Sequence, residues 1–369
     1  MNFSLLSEYL DHQEGVPYSE TYVMQDHKVL FHHITGYDDI EAGRRCKPNG
    51  FYHIYSCTKV LTCTAALRLW ERGKFLMPDP VSDFLPEFAD ILVKDAATGE
   101  IRAPKRPITI KDLFAMTSGL RYMLSWPALE ELRKSTNGGA PTVAAMRALA
   151  REPLSFDPGD NFQYSLSHDV LGALIEVITG RSFGEYLREE ILLPLGMTET
   201  GFSVPAGSED RIVTPYKRDP ETGAFTKMPF KCQYQLGSEY ESGGAGLITT
   251  PRDYSLLADA LACHGTGATG ARILSPATID MMRSPLHPYP IFGYMANAGY
   301  RYGYGVRTMA DPSLGNSPIG EFGWDGACGC FILSDPQNRL SMFHARYVSS
   351  PRNDYHSPRL RNILYSCMD

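Results

Sequence analysis

The stretch Phe51-Tyr52-His53-Ile54-Tyr55-Ser56-Cys57-Thr58-Lys59-Val60 organises the interpretation of this chain. The pattern predicts an extended run that delivers Ser56 to the first turn of a helix, which continues to a stop at Gly73. Because residues three apart share one helix face, Ser56 and Lys59 can present a hydroxyl and an amine to the same point. The N–H groups of a helix N-terminus favour negative charge there. One turn of chain can therefore supply a nucleophile, its base and part of an oxyanion site.

The same pair has a simpler explanation. Given the numbers of Ser and Lys residues, roughly one Ser-x-x-Lys is expected by chance, so the pair alone is a weak motif. A capped helix with an exposed Lys would look the same. Ser56 is nevertheless the only Ser that stands three residues before a Lys, and it lies at a predicted strand-to-helix junction. Support has to come from the rest of the chain.

Composition and charge limit the class of protein. The chain has 369 residues, of which 43% are hydrophobic and 21% charged, as in ordinary globular proteins. This length predicts one large or two intertwined domains. The net charge of −7 comes without any Lys/Arg run, which predicts no nucleic-acid partner. No apolar run approaches 18 residues, so we expect no membrane span.

The N-terminus and the cysteines bear on the compartment. Met1–Glu8 lacks the basic and long apolar regions of a signal peptide, which predicts a cytoplasmic protein, although a removed leader would leave the same pattern. The eight Cys are scattered, and Cys328-Gly329-Cys330 has no second Cys pair that would complete a metal site. We therefore expect reduced thiols and no metal.

Predicted strands cluster at the two ends of the chain, and predicted helices fill the middle. The strands are expected at 20–25, 28–35, 303–309, 328–333 and 340–346. Helical periodicity recurs between them, with a short helix at 3–12 and another after Pro358. This order predicts an α+β fold, in which an antiparallel sheet domain from 1–55 and 290–369, with terminal helices, receives an inserted all-α domain at 56–289. A cleft between the two would be the natural ligand site.

A second serine motif is rejected. Gly180-Arg181-Ser182-Phe183-Gly184 matches the nucleophile elbow Gly-x-Ser-x-Gly, but that motif needs a preceding strand. The residues before it belong to a helical pattern, and Glu185 completes a capping box with Ser182. We interpret Ser182 as a helix cap.

Several stretches then match one family pattern in the right order. They are Ser56-Cys57-Thr58-Lys59, Val81–Phe88, Leu113–Gly119, Phe162-Gln163-Tyr164-Ser165 with Val170-Leu171-Gly172, Pro194-Leu195-Gly196-Met197, Gly244–Asp253 and Phe322-Gly323-Trp324-Asp325-Gly326. From about residue 20 to 346 the chain resembles the serine β-lactamase and penicillin-binding-protein superfamily, in particular the class C-like branch that includes family VIII carboxylesterases. The resemblance implies the β-lactamase-like version of the α+β fold, with the active site between the two domains and no cofactor.

The resemblance also implies catalytic roles by position. Ser56 would be the acyl-accepting nucleophile and Lys59 its hydrogen-bonded partner. Tyr164, in the second motif, would share the general acid/base work, since a nearby ammonium favours the phenolate. The alternative for Tyr164 is a buried core tyrosine. The backbone N–H groups of Ser56 and Ala327 would form the oxyanion hole.

The expected substrate-binding residues show where this chain departs from the family. They are Trp324, Asp325, Gly326, Leu166 and Tyr122. Leu166 replaces the Asn of the usual Tyr-x-Asn, and the third motif has Trp324 in place of its usual cation, as in family VIII esterases. Asp325 would disfavour anionic substrates unless an Arg such as Arg307 or Arg346 pairs with it. For Trp324, packing at a sheet edge is an equal alternative.

The expected function is a serine hydrolase that forms an acyl-enzyme on small carboxylic esters, acting as an esterase or an acyltransferase. One alternative is a β-lactamase or D-amino-acid peptidase, against which Leu166 and Asp325 count. Another is a non-catalytic binding protein on the same fold. The partner is expected to be a small ester or amide substrate, and the sequence leaves the oligomeric state open.

Overall fold

A computed structural model describes residues 1–95, 98–288, 292–349 and 351–368. The strands of these residues are β1 (Tyr18–Gln25), β2 (Lys28–Asp39), β3 (Arg44–Arg45), β4 (Tyr52–His53), β5 (Val93–Lys94), β6 (Ile101–Arg102), β7 (Tyr216–Arg218), β8 (Phe225–Lys227), β9 (Ile248–Thr249), β10 (Tyr300–Tyr302), β11 (Arg307–Met309), β12 (Phe322–Asp325), β13 (Phe331–Asp335), β14 (Leu340–Ala345) and β15 (Val348–Ser349).

Most of the helices lie in the middle of the chain, between β6 and β10. They are α1 (Ser4–Asp11), α2 (Thr58–Glu71), α3 (Ile110–Ala115), α4 (Pro127–Ser135), α5 (Thr142–Leu149), α6 (Ser167–Thr179), α7 (Phe183–Leu187), α8 (Leu193–Leu195), α9 (Pro251–Ala262), α10 (Pro276–Met282), α11 (Gly293–Ala298) and α12 (Asn353–Ser366). None of the helices in the described ranges is both long and apolar enough to cross a membrane.

The chain divides into two compact units. The sheet unit comprises 1–60, 192–232 and 247–369, and the helical unit comprises 61–191 and 233–246. In the sheet unit an antiparallel sheet has the strand order β10-β11-β12-β13-β14-β1-β2-β3, so the two ends of the chain meet where β14 pairs with β1. The predicted α+β class with an antiparallel sheet built from both termini is confirmed.

Alternation along the strands gives the sheet two apolar faces. Phe331 and Leu333 of β13 pack with Leu340 and Met342 of β14 against the terminal helices α1 and α12. On the other face, the Tyr254 ring of α9 lies 4.9 Å from that of Phe343. Successive side chains of a strand point to opposite faces, so each face can bury its own helix layer.

The helical unit is built around α6, which is buried along most of its length. Ser182 accepts a hydrogen bond from the Glu185 N–H at the start of α7, in a complete capping box. Its role as a helix cap, rather than a nucleophile, is therefore confirmed. The unit also contains the two-stranded β5–β6 ribbon, so it is mostly helical rather than all-α as predicted.

The domain boundaries differ from those predicted. The sequence assigned 56–289 to the helical domain, whereas 192–232 and the described part of 247–289 belong to the sheet unit. Helix α9 explains much of this difference, because Ser334 of β13 donates a hydrogen bond to the Ala258 carbonyl at 2.9 Å. Periodicity identifies the buried face of a helix but not the core against which that face packs. The predicted boundary at 289/290 itself lies outside the described residues.

Candidate active site

Ser56 is delivered to its position by a short strand and a tight turn of the sheet unit. Strand β4 pairs with β9, and the Ile54 N–H donates to the Leu247 carbonyl at 3.1 Å. Tyr55 then adopts a left-handed backbone with φ of 47°, at the start of a 3₁₀ turn over Tyr55–Cys57 that leads into α2. A non-glycine residue is strained in this region, and such strain persists only where the surroundings hold it. One interaction that holds Tyr55 in place is a 2.8 Å hydrogen bond between its hydroxyl and the hydroxyl of Tyr347.

Lys59 lies one turn after Ser56, on the same side of the helix. Its Nζ donates to the Ser56 Oγ at 3.4 Å. The Lys59 side chain is buried, whereas Ser56 is half-buried. A hydroxyl that is accessible to a ligand therefore lies beside an amine that is shielded from bulk water, as the spacing of the two residues predicts.

The third motif lies against the segment that carries Ser56. Strand β12 ends at Asp325, and Gly326 begins a turn in which its N–H donates to the Cys330 carbonyl at 2.8 Å. A Cβ atom at Gly326 would lie only 2.4 Å from the Ile54 carbonyl oxygen, so the two backbones approach as closely as glycine allows. This approach brings Ala327 toward Ser56 within one unit.

Two backbone N–H groups are available for an oxyanion. Neither the Ser56 N–H nor the Ala327 N–H donates a hydrogen bond to any of the described residues. Ala327 is half-buried, between the buried residues Gly326 and Cys328. Unsatisfied N–H groups next to a nucleophile are the elements of an oxyanion hole.

The thiol beside Ser56 is a poor alternative nucleophile. Cys57 is fully buried, and its Sγ faces the backbone carbonyls of Trp324 and Cys330 at 3.7 and 3.6 Å. Burial raises the pKa of the Cys57 thiol well above its ordinary value. Since the thiolate is the reactive form of cysteine, Cys57 is poorly suited to this role, and Ser56 stays the predicted nucleophile of this turn.

Asp325 is paired within the protein. Its Oδ2 accepts from Arg307 Nη1 at 3.2 Å, and its Oδ1 accepts a short hydrogen bond from the Ser357 hydroxyl. The Arg307 side chain is fully buried, and Asp325 is 7% exposed. Arg307 is thus the neutralising partner that the sequence left open, whereas Arg346 binds the Gly329 carbonyl and Asn353 instead. The contact of Asp325 with substrate stays a prediction.

Trp324 packs among other aromatic side chains. Its ring lies 5.3 Å from that of Tyr302, nearly perpendicular to it, and 6.3 Å from that of Phe292. Only 3% of Trp324 is exposed. Trp324 is thus a packed structural residue, but on an interior strand between β11 and β13 rather than at a sheet edge as expected. Its contact with substrate stays a prediction.

The helical unit brings three other predicted residues together. The rings of Tyr122 and Tyr164 stack with centroids 5.8 Å apart and an angle of 9° between their planes. Tyr164 is half-buried rather than a core residue. Leu166, in contrast, is 1% exposed, and its N–H donates to the Arg121 carbonyl at 3.4 Å. Leu166 therefore supplies an apolar core side chain where the family pattern has an amide.

Asn353 is a residue of this region that the sequence did not indicate. Its Nδ2 donates to the Gly326 carbonyl at 2.8 Å. The last helix was expected only after Pro358, but α12 begins at Asn353 and contains that proline. No motif or periodicity marks Asn353, so no signal in a single sequence could have found it.

Comparison with known proteins shows the family of the chain. The model of the beta-lactamase family matches residues 6–355, nearly the whole chain. The chain belongs to the beta-lactamase family. It is 31% identical over 339 residues to protein Rv1367c of Mycobacterium tuberculosis, a match that covers 88% of this chain and 84% of that protein.

Two further similar proteins have names that describe an activity. Esterase EstB of Burkholderia gladioli is 29% identical over 331 residues, which cover 82% of this chain and 78% of that protein. Among solved structures, EstCE1, a hydrolase with promiscuous acyltransferase activity, superposes with a TM-score of 0.76 at 25% identity over 98% of this chain and 96% of its own. The β-lactamase-like fold implied by the sequence is thereby confirmed.

Proposed function

We propose that the protein is a serine hydrolase that acts on small, uncharged carboxylic esters through an acyl-enzyme on Ser56. The observation that carries the proposal is the Ser56–Lys59 pair, a half-buried hydroxyl 3.4 Å from a buried amine. The similarity to EstB and EstCE1, whose names describe an esterase and a hydrolase, supports the same chemistry.

In the proposed first step, the Ser56 oxygen attacks the ester carbonyl while its proton passes to a base, for which Lys59 and Tyr164 are the two predicted residues. The carbonyl oxygen becomes an oxyanion, which the N–H groups of Ser56 and Ala327 stabilise. The C–O bond to the alcohol then breaks, and the alcohol leaves with a proton from Tyr164. The products are a Ser56 acyl ester and a free alcohol.

In the second step, water attacks the acyl carbonyl while the same groups accept a proton from the water. The bond between the acyl group and Ser56 then breaks, which releases the carboxylic acid, and Ser56 regains its proton. A second alcohol in place of water would give a transferred ester instead. The promiscuous acyltransferase activity named for EstCE1 favours this as the second candidate outcome.

The charge of the site supports ester rather than lactam substrates. The third motif has Trp324 where β-lactam-recognising members have a cation. Arg307, which lies on the neighbouring strand β11, is buried and paired with Asp325 of this motif. Leu166 offers no amide to hydrogen-bond a substrate side chain. A substrate carboxylate would therefore find no partner among these residues, which makes a β-lactamase the weaker alternative.

The test compares p-nitrophenyl butyrate and nitrocefin as substrates. We expect ester hydrolysis by the wild type, loss of nearly all activity in Ser56→Ala, and a decrease in kcat of ~10²–10⁴ in Tyr164→Phe. Tyr186→Phe is the matched control for the second variant, because the Tyr186 hydroxyl is buried in the same unit without a hydrogen-bond partner among the described residues.

Two outcomes would contradict the proposal. Ester hydrolysis that survives Ser56→Ala would assign the reaction to another nucleophile. Turnover of nitrocefin but not of the ester would assign the protein to the lactam-hydrolysing branch of the family.

A further inference from the structure

The turn that carries the Ala327 N–H is fixed by its carbonyl groups. The Cys328 carbonyl accepts from the Val348 N–H at 3.0 Å, and the Gly329 carbonyl accepts from Arg346 Nε, also at 3.0 Å. The Gly326 carbonyl accepts twice, from the Gly329 N–H at 2.9 Å and from Asn353 Nδ2 at 2.8 Å. The turn is therefore held both by its own backbone and by side chains from beyond it.

The bonds to Gly326 bear directly on Ala327, because the two residues share one peptide group. In a trans peptide the C=O and the following N–H point in opposite directions within one plane. No cis peptide occurs among the described residues. Two donors that hold the Gly326 oxygen on one side therefore hold the Ala327 N–H toward the other, where it meets no acceptor among the described residues.

The orientation of the Asn353 amide is itself determined. Arg346 Nη2 donates to Asn353 Oδ1 at 3.1 Å. A guanidinium has only N–H groups to offer, so the Asn353 oxygen must face Arg346, and its NH₂ group is left to face Gly326. Arg346 is 1% exposed, so the guanidinium that fixes the amide is itself held within the protein.

We propose that Asn353, oriented by Arg346, is a positioning residue that aims the Ala327 N–H at the oxyanion. Asn353 does not touch the reacting atoms; it acts through the peptide group of Gly326 and Ala327. The inference rests on the proposed function, because it assigns Asn353 to the oxyanion step of that reaction.

Asn353→Asp gives the sharpest test, since it keeps the shape of the side chain and the acceptor for Arg346. It replaces the NH₂ group that faces the Gly326 carbonyl with a carboxylate oxygen. Two oxygens in contact repel, and a flipped peptide would turn the Ala327 N–H toward the carboxylate and away from substrate. We expect kcat for p-nitrophenyl butyrate to fall by ~10–100-fold with KM little changed, below the ~10²–10³ for complete loss of one donor.

Asn353→Ala should have a smaller effect of ~3–10-fold, because the Gly329 N–H still binds the Gly326 carbonyl. Asn362→Asp is the matched control. It makes the same change on the same helix, at an exposed residue whose Oδ1 accepts from Arg361. We expect this variant to retain the kcat of the wild type.

A second readout separates positioning from a general structural role. Sulfur accepts hydrogen bonds more weakly than oxygen, so an oxyanion hole accelerates an ester more than the matching thionoester. We expect the ester-to-thionoester rate ratio to fall in Asn353→Asp and to stay constant in Asn362→Asp. An Asn353→Asp enzyme with the kcat of the wild type, or with both rates reduced by one factor, would overturn the inference.

The proposed function can fail independently of this result. If Ser56→Ala retains the ester activity of the wild type, the proposed function is wrong and the inference falls with it. If that activity depends on Ser56 while Asn353→Asp behaves like Asn362→Asp, only the role of Asn353 is refuted.

Discussion

A single added methyl group at Gly326 tests whether the close approach of the third-motif turn to Ser56 matters for catalysis. The Cβ of Gly326→Ala would lie 2.4 Å from the Ile54 carbonyl oxygen, which belongs to the backbone and cannot rotate away. Ordinary contact at such a position begins near 3.4 Å, so the turn and the Ser56 segment must separate by about 1 Å. A misplacement of this size can cost ~10²-fold in rate, which corresponds to about 2.7 kcal/mol of transition-state stabilisation.

The assay is kcat for p-nitrophenyl butyrate, measured together with the thermal melting temperature. Overpacking of this kind also destabilises a fold by ~1–3 kcal/mol, so the melt shows whether the protein is folded at the assay temperature. Gly201→Ala is the matched control in the same unit, because a Cβ there meets no atom within 4 Å and its backbone is not left-handed. A folded Gly326→Ala enzyme within about 3-fold of the wild-type kcat would show that the close approach at Gly326 does not matter for catalysis.

Two further predictions concern stability. Arg307→Met leaves the buried Asp325 carboxylate without the cation it pairs with, so we expect the free energy of unfolding in urea to fall by ~3–5 kcal/mol; a loss below about 1 kcal/mol would show that the pair is unimportant. Burial lowers the pKa of His53 from 6.5 to about 4, so the unfolded chain binds a proton there that the folded protein excludes. The contribution of neutral His53 to the free energy of unfolding is therefore complete above pH 6.5. It is lost as the pH falls toward 4, at up to about 1.4 kcal/mol per pH unit. In His53→Phe, the free energy of unfolding measured with urea should therefore change less with pH between 4 and 6.5 than in the wild type. An unchanged pH dependence would contradict the assignment.

The sequence predicted the parts of this structure that depend on local pattern. The helix after Ser56 and the strands that become β1, β2 and β14 follow from periodicity and turn residues, which act over a few residues of chain. The pairing of Ser56 with Lys59 was likewise predictable, because helical geometry alone places residues three apart on one face.

The features that were missed depend on contacts between residues far apart in the chain. For Asp325 the sequence offered both Arg307 and Arg346 as partners but could not choose between them, because the pairing with Arg307 depends on β11 and β12 being neighbours in the sheet. The apolar pattern of Ser182–Leu193 is that of a helix, but Arg188–Leu192 within it is a π-helix. Pro194, two residues beyond it, has no N–H with which to bond the carbonyl four residues earlier, and the pattern of apolar residues does not record that break.

The start of α12 shows the same limit. Pro358 suggested a helix beginning after it, because proline is common in the first turn. The helix instead begins at Asn353, and packing of Leu360 and Leu364 in the core of the sheet unit accompanies the interior proline. Asn353, the residue proposed to position the oxyanion hole, therefore lies before the point at which the sequence predicted the helix to begin.

The central claim is that Ser56 becomes acylated, and mass spectrometry tests it most directly. The wild type and Ser56→Ala are each mixed with p-nitrophenyl butyrate, quenched in acid within the first turnovers and digested. We expect a butyryl group, ~70 Da, on the peptide that contains Ser56 in the wild type and no acylated peptide in the variant. Acylation of a different residue, or ester turnover without any acylated peptide in rapidly quenched samples, would contradict it.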